Sequence, residues 1–405
     1  LTRFFRWSEP AHSKTFPWEK SCAGRIWESN LKVVYFTRDY SPHDERFLTA
    51  LAQTQHEVYF LRLSPSSEVH LPPGIREVKW VGPLAGEIIS DDRRAEDLNQ
   101  LLSRLQPDVL HAGPLHGPAY IAGLSGFTPL VSMSWGSDIL HDGEVDALAR
   151  AKINLSLHRS TVFLGDCQAV VEKAINAFAF PAERVFRFPW GVDLAHFSPS
   201  TTSPLRASLG WQQQFVFLSN RSFEEIYGVD VVMRAFIQAQ SRAPNIRLLL
   251  YGKGSLQQEI MRMAENAGVM HKIHFAAFAG HEDLPASYHA ADVFLSASHC
   301  DGSSVSLMEA LACGKPALVS NIPSNLEWVH HGENGWLFQD GDTTGLADAM
   351  VAVSRKPNLE KLGQKSRALA EEKADWSCNF AVLLQAYQKA VEWRTPALEI
   401  TERVK

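Results

Sequence analysis

Residues 296–316, SASHCDGSSVSLMEALACGKP, indicate the end of a strand, a short polar loop and a helix, in that order. The apolar residues 293–297 that lead into the loop are typical of a buried strand. Ser303 and Ser304 are suitable helix caps, and apolar residues then recur at helical spacing: Leu307, Met308, Leu311 and Ala312. Gly314 suits the left-handed position after a last helical turn. We therefore predict a strand–loop–helix unit here.

The loop and helix of this unit offer groups that suit a phosphate-containing ligand. Gly302 has no side chain, so its backbone can lie close to a ligand. A helix start carries unpaired backbone N–H groups and a partial positive charge. Asp301 precedes that start, and Glu309 lies roughly 8 Å along the helix axis. Two carboxylates flanking an anion site suit a nucleotide-sugar; the alternative is an Asp that favours the helix dipole and an exposed helical Glu.

These residues resemble the acidic-x7-Glu signature of the retaining family 4 glycosyltransferases, which have the GT-B fold. The usual motif there is Glu-Gly-Phe-x5-Glu-Ala-Met-Ala-Cys-Gly-x-Pro, and this chain has Asp301 for the first Glu and Ser303 for the Phe. The match continues through residues 320–338, SNIPSNLEWVHHGENGWLF, and the resemblance covers most of the chain from about Lys32. It implies two Rossmann-like domains with parallel sheets facing across a cleft.

Length and composition agree with a two-domain globular protein. The chain has 405 residues, 45% of them apolar and 21% charged. A net charge of −6 and a pI near 6.3 exclude a typical nucleic-acid-binding protein. The five cysteines are widely spaced and include no C-x-x-C pair, so we predict free thiols in a reducing compartment. No run of 18 apolar residues is present, and we expect a cytoplasmic protein.

Four segments are predicted along the chain. Residues 1–30 form an N-terminal extension, 31–195 the acceptor-side domain, 196–380 the nucleotide-sugar-binding domain, and 381–405 a helix that crosses back to the first domain. Aromatic and basic residues alternate in the extension. The extension is either loosely docked or in peripheral contact with an anionic acceptor or the inner membrane face.

The first domain is predicted to contain a parallel sheet, because strand and helix patterns alternate from residue 32 onward. Its first loop, SPHDER at 41–46, lacks the two glycines usual in the family, so side chains must fill or line it. Ligands of open parallel sheets bind beyond the carboxyl ends of the strands. Two later loops, 108–116 and 135–138, follow predicted strands and are therefore candidates for the site.

Two residues of these later loops are candidate catalytic residues. The sequence Trp-Gly-Ser-Asp at 135–138 resembles the family's His-Gly-x-Asp and points to Asp138. Family members often have a second His where this chain has Gly113, and His116 either takes that role or is structural. His111 is expected to be structural.

The second domain supplies the cation expected at the donor. The resemblance implies that Arg221 reaches the donor diphosphate, together with a Lys at the position that Tyr227 occupies here. A phenol brings no charge, so phosphate binding would depend more on Arg221 and the helix dipole. Gly252 follows another predicted strand and is a candidate donor-binding residue. Lys253, next to it, either replaces the missing cation or is an exposed turn residue.

The resemblance thus implies donor-binding residues Arg221, Tyr227, Gly252, Asp301, Gly302, Ser303, Ser304 and Glu309. The candidate catalytic residues are Asp301, Arg221, His116 and Asp138. Asp301 would orient sugar hydroxyls and Glu309 the ribose hydroxyls. No metal and no cofactor is expected, because Asp340-Gly341-Asp342 follows a strand and precedes a helix, which favours a turn with a cap over a metal-binding Asp-x-Asp.

We therefore expect a hexosyltransferase that moves a sugar from a UDP- or GDP-sugar to a hydroxyl of a glycan, lipid or small-molecule acceptor, with retention of configuration. Two alternatives remain. One is a nucleotide-sugar epimerase of the same fold, which needs no acceptor. The other is a non-catalytic nucleotide-sugar-binding subunit, suggested by the unusual first loop and by Tyr227.

Overall fold

The computed structural model describes residues 30–80, 89–276, 280–356 and 358–394. The strands of these ranges are β1 (Lys32–Thr37), β2 (Glu57–Arg62), β3 (Arg76–Val78), β4 (Val109–Ala112), β5 (Leu130–Met133), β6 (Val162–Gly165), β7 (Val185–Arg187), β8 (Phe215–Asn220), β9 (Ile246–Tyr251), β10 (Ile273–Ala276), β11 (Val293–Ser296), β12 (Ala317–Ser320) and β13 (Gly335–Phe338).

The α-helices of the same ranges are α1 (Pro42–Ala52), α2 (Asp91–Leu105), α3 (Pro118–Ser125), α4 (Gly143–Val145), α5 (Ala147–Arg159), α6 (Gln168–Phe178), α7 (Pro204–Ser208), α8 (Val229–Gln240), α9 (Gln257–Asn266), α10 (Leu284–Ala290), α11 (Val305–Ala312), α12 (Pro323–Leu326), α13 (Thr343–Ser354), α14 (Glu360–Lys373) and α15 (Trp376–Glu392). Strands and helices alternate along most of the chain, as the sequence pattern predicts.

The strands form two separate sheets, and every pair within them is parallel. The first sheet has seven strands in the order β3-β2-β1-β4-β5-β6-β7. The second has six strands in the order β10-β9-β8-β11-β12-β13. Strands buried on both faces are apolar throughout, as in the four fully buried residues of β6. The predicted α/β class with two parallel-sheet domains is confirmed.

In both sheets the strand order reverses at the first strand of the domain. In each sheet, the first strand of the domain has the next strand on one side and a later strand on the other. Thus β1 lies between β2 and β4, and β8 lies between β9 and β11. Such a switch point opens a crevice beyond the carboxyl ends of the strands, where ligands bind in open α/β sheets.

The strand–loop–helix unit forms as the sequence predicts. Strand β11 ends at Ser296 and helix α11 begins at Val305, with Ser304 as its N-cap. The Ser304 hydroxyl accepts a hydrogen bond from the backbone N–H of Leu307. Gly314, with φ +67°, takes the left-handed conformation just after the helix.

The terminal helix α15 packs against β5, β6 and β7 of the first sheet. Its buried face consists of Leu383, Ala386, Tyr387 and Ala390, at the spacing of one helical stripe. The Tyr387 hydroxyl lies 2.7 Å from Nδ1 of His111, which is buried at the centre of the first sheet. The helix starts at Trp376, slightly before the expected boundary at residue 381. The expected N-terminal extension and its membrane contact fall almost entirely outside the described residues.

Candidate active site

The loops at the carboxyl ends of the two sheets touch each other at two glycines. Gly136 follows β5, and a Cβ added to it would lie 2.4 Å from the backbone nitrogen of Gly302. A Cβ added to Gly302 would lie 2.0 Å from Oδ2 of Asp166, which follows β6. Neither position has room for a side chain. The absence of a side chain at Gly302, which the sequence suggested for a ligand, here also lets the first domain approach.

Arg221, directly after β8, is the hydrogen-bonding centre of the loop before α11. Its Nη2 donates to Asp301 Oδ2 over 2.5 Å, and its Nη1 donates to the hydroxyls of Ser304 and Ser306 over 2.8 and 3.3 Å. The side chains of Arg221 and Asp301 are 10% and 16% exposed, so the pair is largely desolvated. Burial raises the pKa of the Asp301 carboxyl, while the charge of Arg221 opposes that effect.

Tyr227 packs against the guanidinium of Arg221. The guanidinium carbon lies 4.1 Å from the centroid of the Tyr227 ring, a cation–π contact. Burial raises the pKa of the Tyr227 phenol, so the ring remains uncharged. Tyr227 therefore fixes the cation next to it, although it cannot replace the charge of a lysine. Lys253 is exposed on its turn.

Gly252 packs against the backbone of Arg221. A Cβ added to Gly252 would lie 2.1 Å from the Arg221 carbonyl oxygen. The backbone N–H of Gly252 donates to the carbonyl of Ala276. Gly252 thus has a structural reason to be glycine, because it lets the loop after β9 lie against the end of β8 and so helps to place Arg221.

Glu309 is buried in α11 rather than exposed, which excludes the alternative of a solvated helical Glu. Its side chain accepts a hydrogen bond of 2.5 Å from the Tyr288 hydroxyl. Burial raises the pKa of the Glu309 carboxyl to about 7, while the Tyr288 hydrogen bond and the charge of Arg46 act in the opposite direction. A carboxyl that titrates near neutral pH, next to a buried cation, is typical of a functional site.

One expected phosphate ligand is already occupied in this conformation. The backbone N–H of Ser303 donates to Asp166 Oδ2 over 2.7 Å, and the Ser303 hydroxyl donates to the Asp166 carbonyl over 2.5 Å. Burial raises the pKa of the Asp166 carboxyl to about 7, and the nearby charges of Asp301, Asp138 and Glu327 add to this rise. In this conformation the first domain provides the acceptor for the Ser303 N–H group, and the donor-binding role expected for Ser303 stays a prediction.

A second carboxylate makes the reciprocal contact. Glu327 follows α12 in the second domain, and its two carboxylate oxygens accept hydrogen bonds from the backbone N–H groups of Gln168 and Ala169, over 3.0 and 3.2 Å. Those groups begin α6 of the first domain, where backbone donors lack partners within the helix. Each domain thus accepts hydrogen bonds from backbone N–H groups of the other, at the start of α6 and in the loop before α11.

Asp138, an expected catalytic residue, is hydrogen-bonded within the first domain. Its Oδ2 accepts the backbone N–H of Leu115 over 2.8 Å, and its Oδ1 accepts the hydroxyl of Ser134 over 2.5 Å and the backbone N–H of Ile139 over 3.0 Å. The residue is 1% exposed, and these hydrogen bonds tether two loops. The catalytic role expected for Asp138 stays a prediction.

His116 is at the rim of the first domain, partly exposed. Its Nε2 lies 3.7 Å from Asp142 Oδ2 and 3.4 Å from Nη2 of Arg38. Its Nδ1 is buried and has no hydrogen-bond partner among the residues that the structure describes. The structure does not place its ring among the hydrogen-bonded partners of Arg221 and Asp301. The sequence left a catalytic and a structural role open for His116, and both stay predictions.

The segment 41–46, expected as a loop, instead forms the cap and first turns of α1, because Ser41 caps the helix and Pro42 fits its first position. Two of its side chains approach the cleft and were not singled out in the sequence. Arg46, in the second turn of α1, acts electrostatically on Glu309 of the other domain. His43 lies one turn earlier, with its ring 4.7 Å from that of Trp190. Burial lowers the pKa of His43 to about 3, with contributions from the charges of Arg46 and Arg221. The absence of glycine in SPHDER could have pointed to Arg46 and His43, because it means that side chains line this part of the cleft.

Asp166 was also missed, although its position after a strand pointed to the cleft edge. Among the residues that the structure describes, no three His, Cys, Asp or Glu side chains form a group that could hold a metal ion. Asp342 caps α13 as the turn interpretation predicts, and Asp340 Oδ1 lies 2.6 Å from Nδ1 of His299. Within the described ranges, none of the helices is both long and apolar enough to cross a membrane.

Family models match both domains. The model described as "Glycosyl transferase 4-like" matches residues 32–166, and the model described as "Glycosyl transferases group 1" matches residues 203–371. A curated relative, D-inositol 3-phosphate glycosyltransferase of Actinosynnema mirum, is 25% identical over 84% of this chain and 90% of its own length. N-acetyl-alpha-D-glucosaminyl L-malate synthase of Bacillus anthracis is 27% identical over 38% of this chain and 40% of its own length.

Solved structures share the fold. Anabaena HepE in complex with UDP and glucose has a TM-score of 0.73 at 17% identity, covering 90% of this chain and 100% of HepE. Sucrose-phosphate synthase of Thermosynechococcus elongatus has a TM-score of 0.71 at 18% identity, covering 88% of this chain and 98% of its own. The GT-B fold expected from the resemblance is confirmed.

Proposed function

Because the chain belongs to the group 1 glycosyltransferases of GT-B fold, we propose that it transfers a sugar from a nucleoside-diphosphate sugar to an acceptor hydroxyl with retention of configuration. The observation that carries this proposal is the largely buried Arg221–Asp301 pair next to the start of α11, with Glu309 inside that helix. The fold thus brings a cation from the end of β8 to a helix start flanked by two carboxylates.

Arg221 is the group that stabilises the leaving diphosphate. Negative charge grows on that group as the glycosidic bond breaks, and a fixed, desolvated guanidinium interacts with it more strongly than a solvated one. Asp301, Ser304 and Tyr227 hold the guanidinium in place before the donor binds, so little reorganisation is needed during the reaction. The N-terminus of α11, which Ser304 caps, adds the helix dipole.

The two carboxyl groups have different roles. Asp301 orients hydroxyls of the transferred sugar, and Glu309 accepts hydrogen bonds from the ribose hydroxyls. Arg221 does not occupy both oxygens of Asp301, because its Nη2 bonds to Oδ2. Retention does not require the pair of carboxylates about 5 Å apart that retaining glycosidases use. No metal and no cofactor takes part in this scheme.

Donor entry requires the domains to separate around Ser303. The Asp166 carboxylate and Gly136 cover the backbone at residues 302–303 in the closed arrangement. We therefore include an opening step in which the Asp166–Ser303 hydrogen bond breaks and the donor sugar or phosphate replaces the carboxylate.

A UDP-sugar is the first donor to test, since HepE, which shares the fold, was crystallised with UDP and glucose. A GDP-sugar is the second. The acceptor is a glycan, a lipid or a small molecule with a free hydroxyl. The buried free thiols Cys167, Cys300 and Cys313 support a reducing compartment such as the cytoplasm. Contact with the membrane surface through residues 1–30 stays a prediction.

The test is a panel of UDP- and GDP-sugars, measured first by thermal shift and then by turnover without acceptor. A ligand at 100 times its Kd stabilises the fold by about 2.7 kcal/mol, which is readily detected. Slow hydrolysis of one donor is the expected result, and NMR of a product made with an acceptor then gives the anomeric configuration. Epimer formation would support the epimerase instead, and binding without turnover the non-catalytic subunit. Binding of no nucleotide would contradict the proposal.

A further inference from the structure

Arg46 carries buried hydrogen-bond donors with no partner among the described residues. Its Nε and Nη2 atoms are buried, and neither has a hydrogen-bond acceptor in the part of the chain that the structure describes. A charged donor buried without an acceptor is unfavourable, because the hydrogen bonds that it made to water are not replaced. Burial also lowers the pKa of Arg46, to about 10, so the group remains a cation at neutral pH. A cation held in this way is available for an anion that enters the cleft.

An aromatic cluster fixes the position of this cation. The guanidinium carbon of Arg46 lies 4.3 Å from the centroid of the Trp376 ring. Trp376 in turn packs against Phe47, with ring centroids 5.4 Å apart. The contact with Trp376 leaves the edge of the guanidinium, where its N–H groups lie, free of hydrogen bonds at Nε and Nη2.

The same cluster borders the start of α11. Val305, the first residue of that helix, packs against the core cluster that contains Phe47 and Trp376. Trp135 belongs to the edge of this cluster and precedes Gly136, which touches Gly302. Arg46 therefore lies on the first-domain side of the cleft, near α11, where it interacts electrostatically with Glu309.

His43 connects the two cations electrostatically. Its pKa is lowered by burial and by the charges of both Arg46 and Arg221, which belong to different domains. The imidazole is neutral and adds no charge of its own. Both guanidinium groups are close enough to act electrostatically on this ring, while Asp301 pairs with Arg221.

We propose that Arg46 binds the diphosphate of the donor from the first domain, as the second cation that Tyr227 does not provide. This inference rests on the proposed function and deepens it. The buried N–H groups of Arg46 donate to phosphate oxygens, while Arg221 binds the same diphosphate from the second domain. The donor then links the domains, and its charge is balanced by one arginine from each.

The test compares uridine, UMP and UDP, or guanosine, GMP and GDP if the wild-type protein prefers that base, by isothermal titration calorimetry. Arg46→Gln removes the charge, and Arg46→Lys keeps the charge and much of the stem over Trp376. Arg150→Gln is the matched control, because Arg150 lies over the Phe178 ring in the same domain, at 5.0 Å, on α5.

For Arg46→Gln we expect the Kd of the diphosphate to rise about tenfold or more, the scale of a lost charged hydrogen bond. The Kd of the nucleoside should rise much less, because the nucleoside carries no phosphate for Arg46 to bind and is affected only through the charge that Arg46 exerts on Glu309. The Kd of the diphosphate for Arg46→Lys should lie between the values for the wild type and Arg46→Gln. Arg46→Lys also provides the comparison of nucleoside and diphosphate if Arg46→Gln does not fold. Arg150→Gln should bind all three ligands as the wild type does.

Suppose that the wild type binds the diphosphate and that the Arg46 variant is folded. If the variant then lost equal affinity for nucleoside and diphosphate, or lost affinity for neither, the inference would be overturned. That result would leave the proposed function intact. A wild-type protein that binds neither UDP nor GDP would contradict the proposed function, and this inference with it.

Discussion

The Asp166 carboxylate of the first domain accepts a hydrogen bond of 2.7 Å from the backbone N–H of Ser303 in the second. The contact closes the cleft at the loop where the donor is proposed to bind. It also buries a carboxyl group whose pKa is raised to about 7, chiefly by burial. The cost of ionising that group gives the closed form a dependence on pH that can be measured.

The free energy of unfolding of Asp166→Asn, relative to that of the wild type, should increase as pH rises from about 4 to about 7. In the unfolded chain the carboxyl ionises near a pKa of about 3.9, but in the folded protein its pKa is about 7 and it stays protonated up to that pH. The folded state binds more protons in this window, so wild-type stability falls as pH rises. Asn keeps an acceptor for the Ser303 N–H and carries no charge. Denaturant unfolding at about pH 4.5, 6 and 8 measures the difference.

Asp39→Asn is the control of opposite sign. Burial raises the pKa of Asp39, but hydrogen bonds from Ser66, the Tyr40 N–H and Arg62 outweigh it, so the pKa is lowered overall. That carboxylate stabilises the fold above its unfolded pKa, and the contribution is lost as pH falls. A stability difference for Asp166→Asn that stays constant across the three pH values would contradict the first prediction.

Glu309→Gln should weaken nucleoside binding by roughly 1.5–3 kcal/mol at about pH 8, the scale of a hydrogen bond to a charged group. The pKa of Glu309 is raised to about 7, chiefly by burial. Binding of ribose hydroxyls to the ionised carboxylate should therefore tighten in the wild type as pH rises from about 6 to about 8. The Kd of uridine or guanosine, which carry no phosphate that titrates, is the measurement.

The variant Glu309→Gln is itself the control for the pH dependence. Its amide side chain does not titrate, so the Kd of the variant should stay flat over the same range. If the wild-type Kd did not change with pH and the variant had the same Kd as the wild type, Glu309 would not bind the ribose. Its role would then be limited to the hydrogen bond with Tyr288.

Arg221→Lys should lower kcat by roughly two orders of magnitude, the scale of one lost transition-state donor. Lysine keeps the charge but cannot contact Asp301 and Ser304 through two separate nitrogens, as Arg221 does. Nucleoside binding should change little, because the diphosphate is the group affected. Steady-state kinetics with the donor found in the panel, and the Kd of the nucleoside, test this.

Arg234→Lys serves as the comparison, because Arg234 forms an exposed ion pair with Asp230 on α8. It should have wild-type kinetics. If Arg221→Lys reduced nucleoside affinity as much as turnover, Arg221 would have a purely structural role.

Asp301→Asn should reduce kcat/KM for the complete donor by about an order of magnitude or more while the Kd of the nucleoside diphosphate does not rise. Removing the carboxylate charge weakens hydrogen bonds to sugar hydroxyls, and it also releases the positive charge of Arg221 for phosphate. A capping role predicts normal kinetics, but Ser304 occupies the cap.

Ser304→Ala separates the two roles, since it removes the true cap and should cost about 1 kcal/mol of stability. Donor kinetics and melting temperatures of both variants, measured side by side, decide between them. Normal kcat/KM in Asp301→Asn would remove Asp301 from the sugar site.

The local structure of the site followed from the sequence, because it depends on neighbours within a few residues. The cap at Ser304, the left-handed Gly314 and the buried strand before the loop are short-range consequences of residue type. The alternation of strand and helix patterns also predicted two parallel sheets, since parallel strands need a crossover. The positions of Arg221 and Glu309 in this framework came from the resemblance to a family motif.

Tertiary structure alone decided which groups the two domains bring to each other. Asp166 and Ser303 are 137 residues apart in the chain, and no local pattern pairs a carboxylate after one strand with a backbone N–H after another. The burial of Glu309, the tethering of loops by Asp138 and the unpaired donors of Arg46 likewise depend on how the sheets pack. A carboxyl group at the cleft is desolvated only when both domains pack over it, and desolvation raises its pKa. The sequence therefore identifies the carboxyl group, and the fold determines its charge.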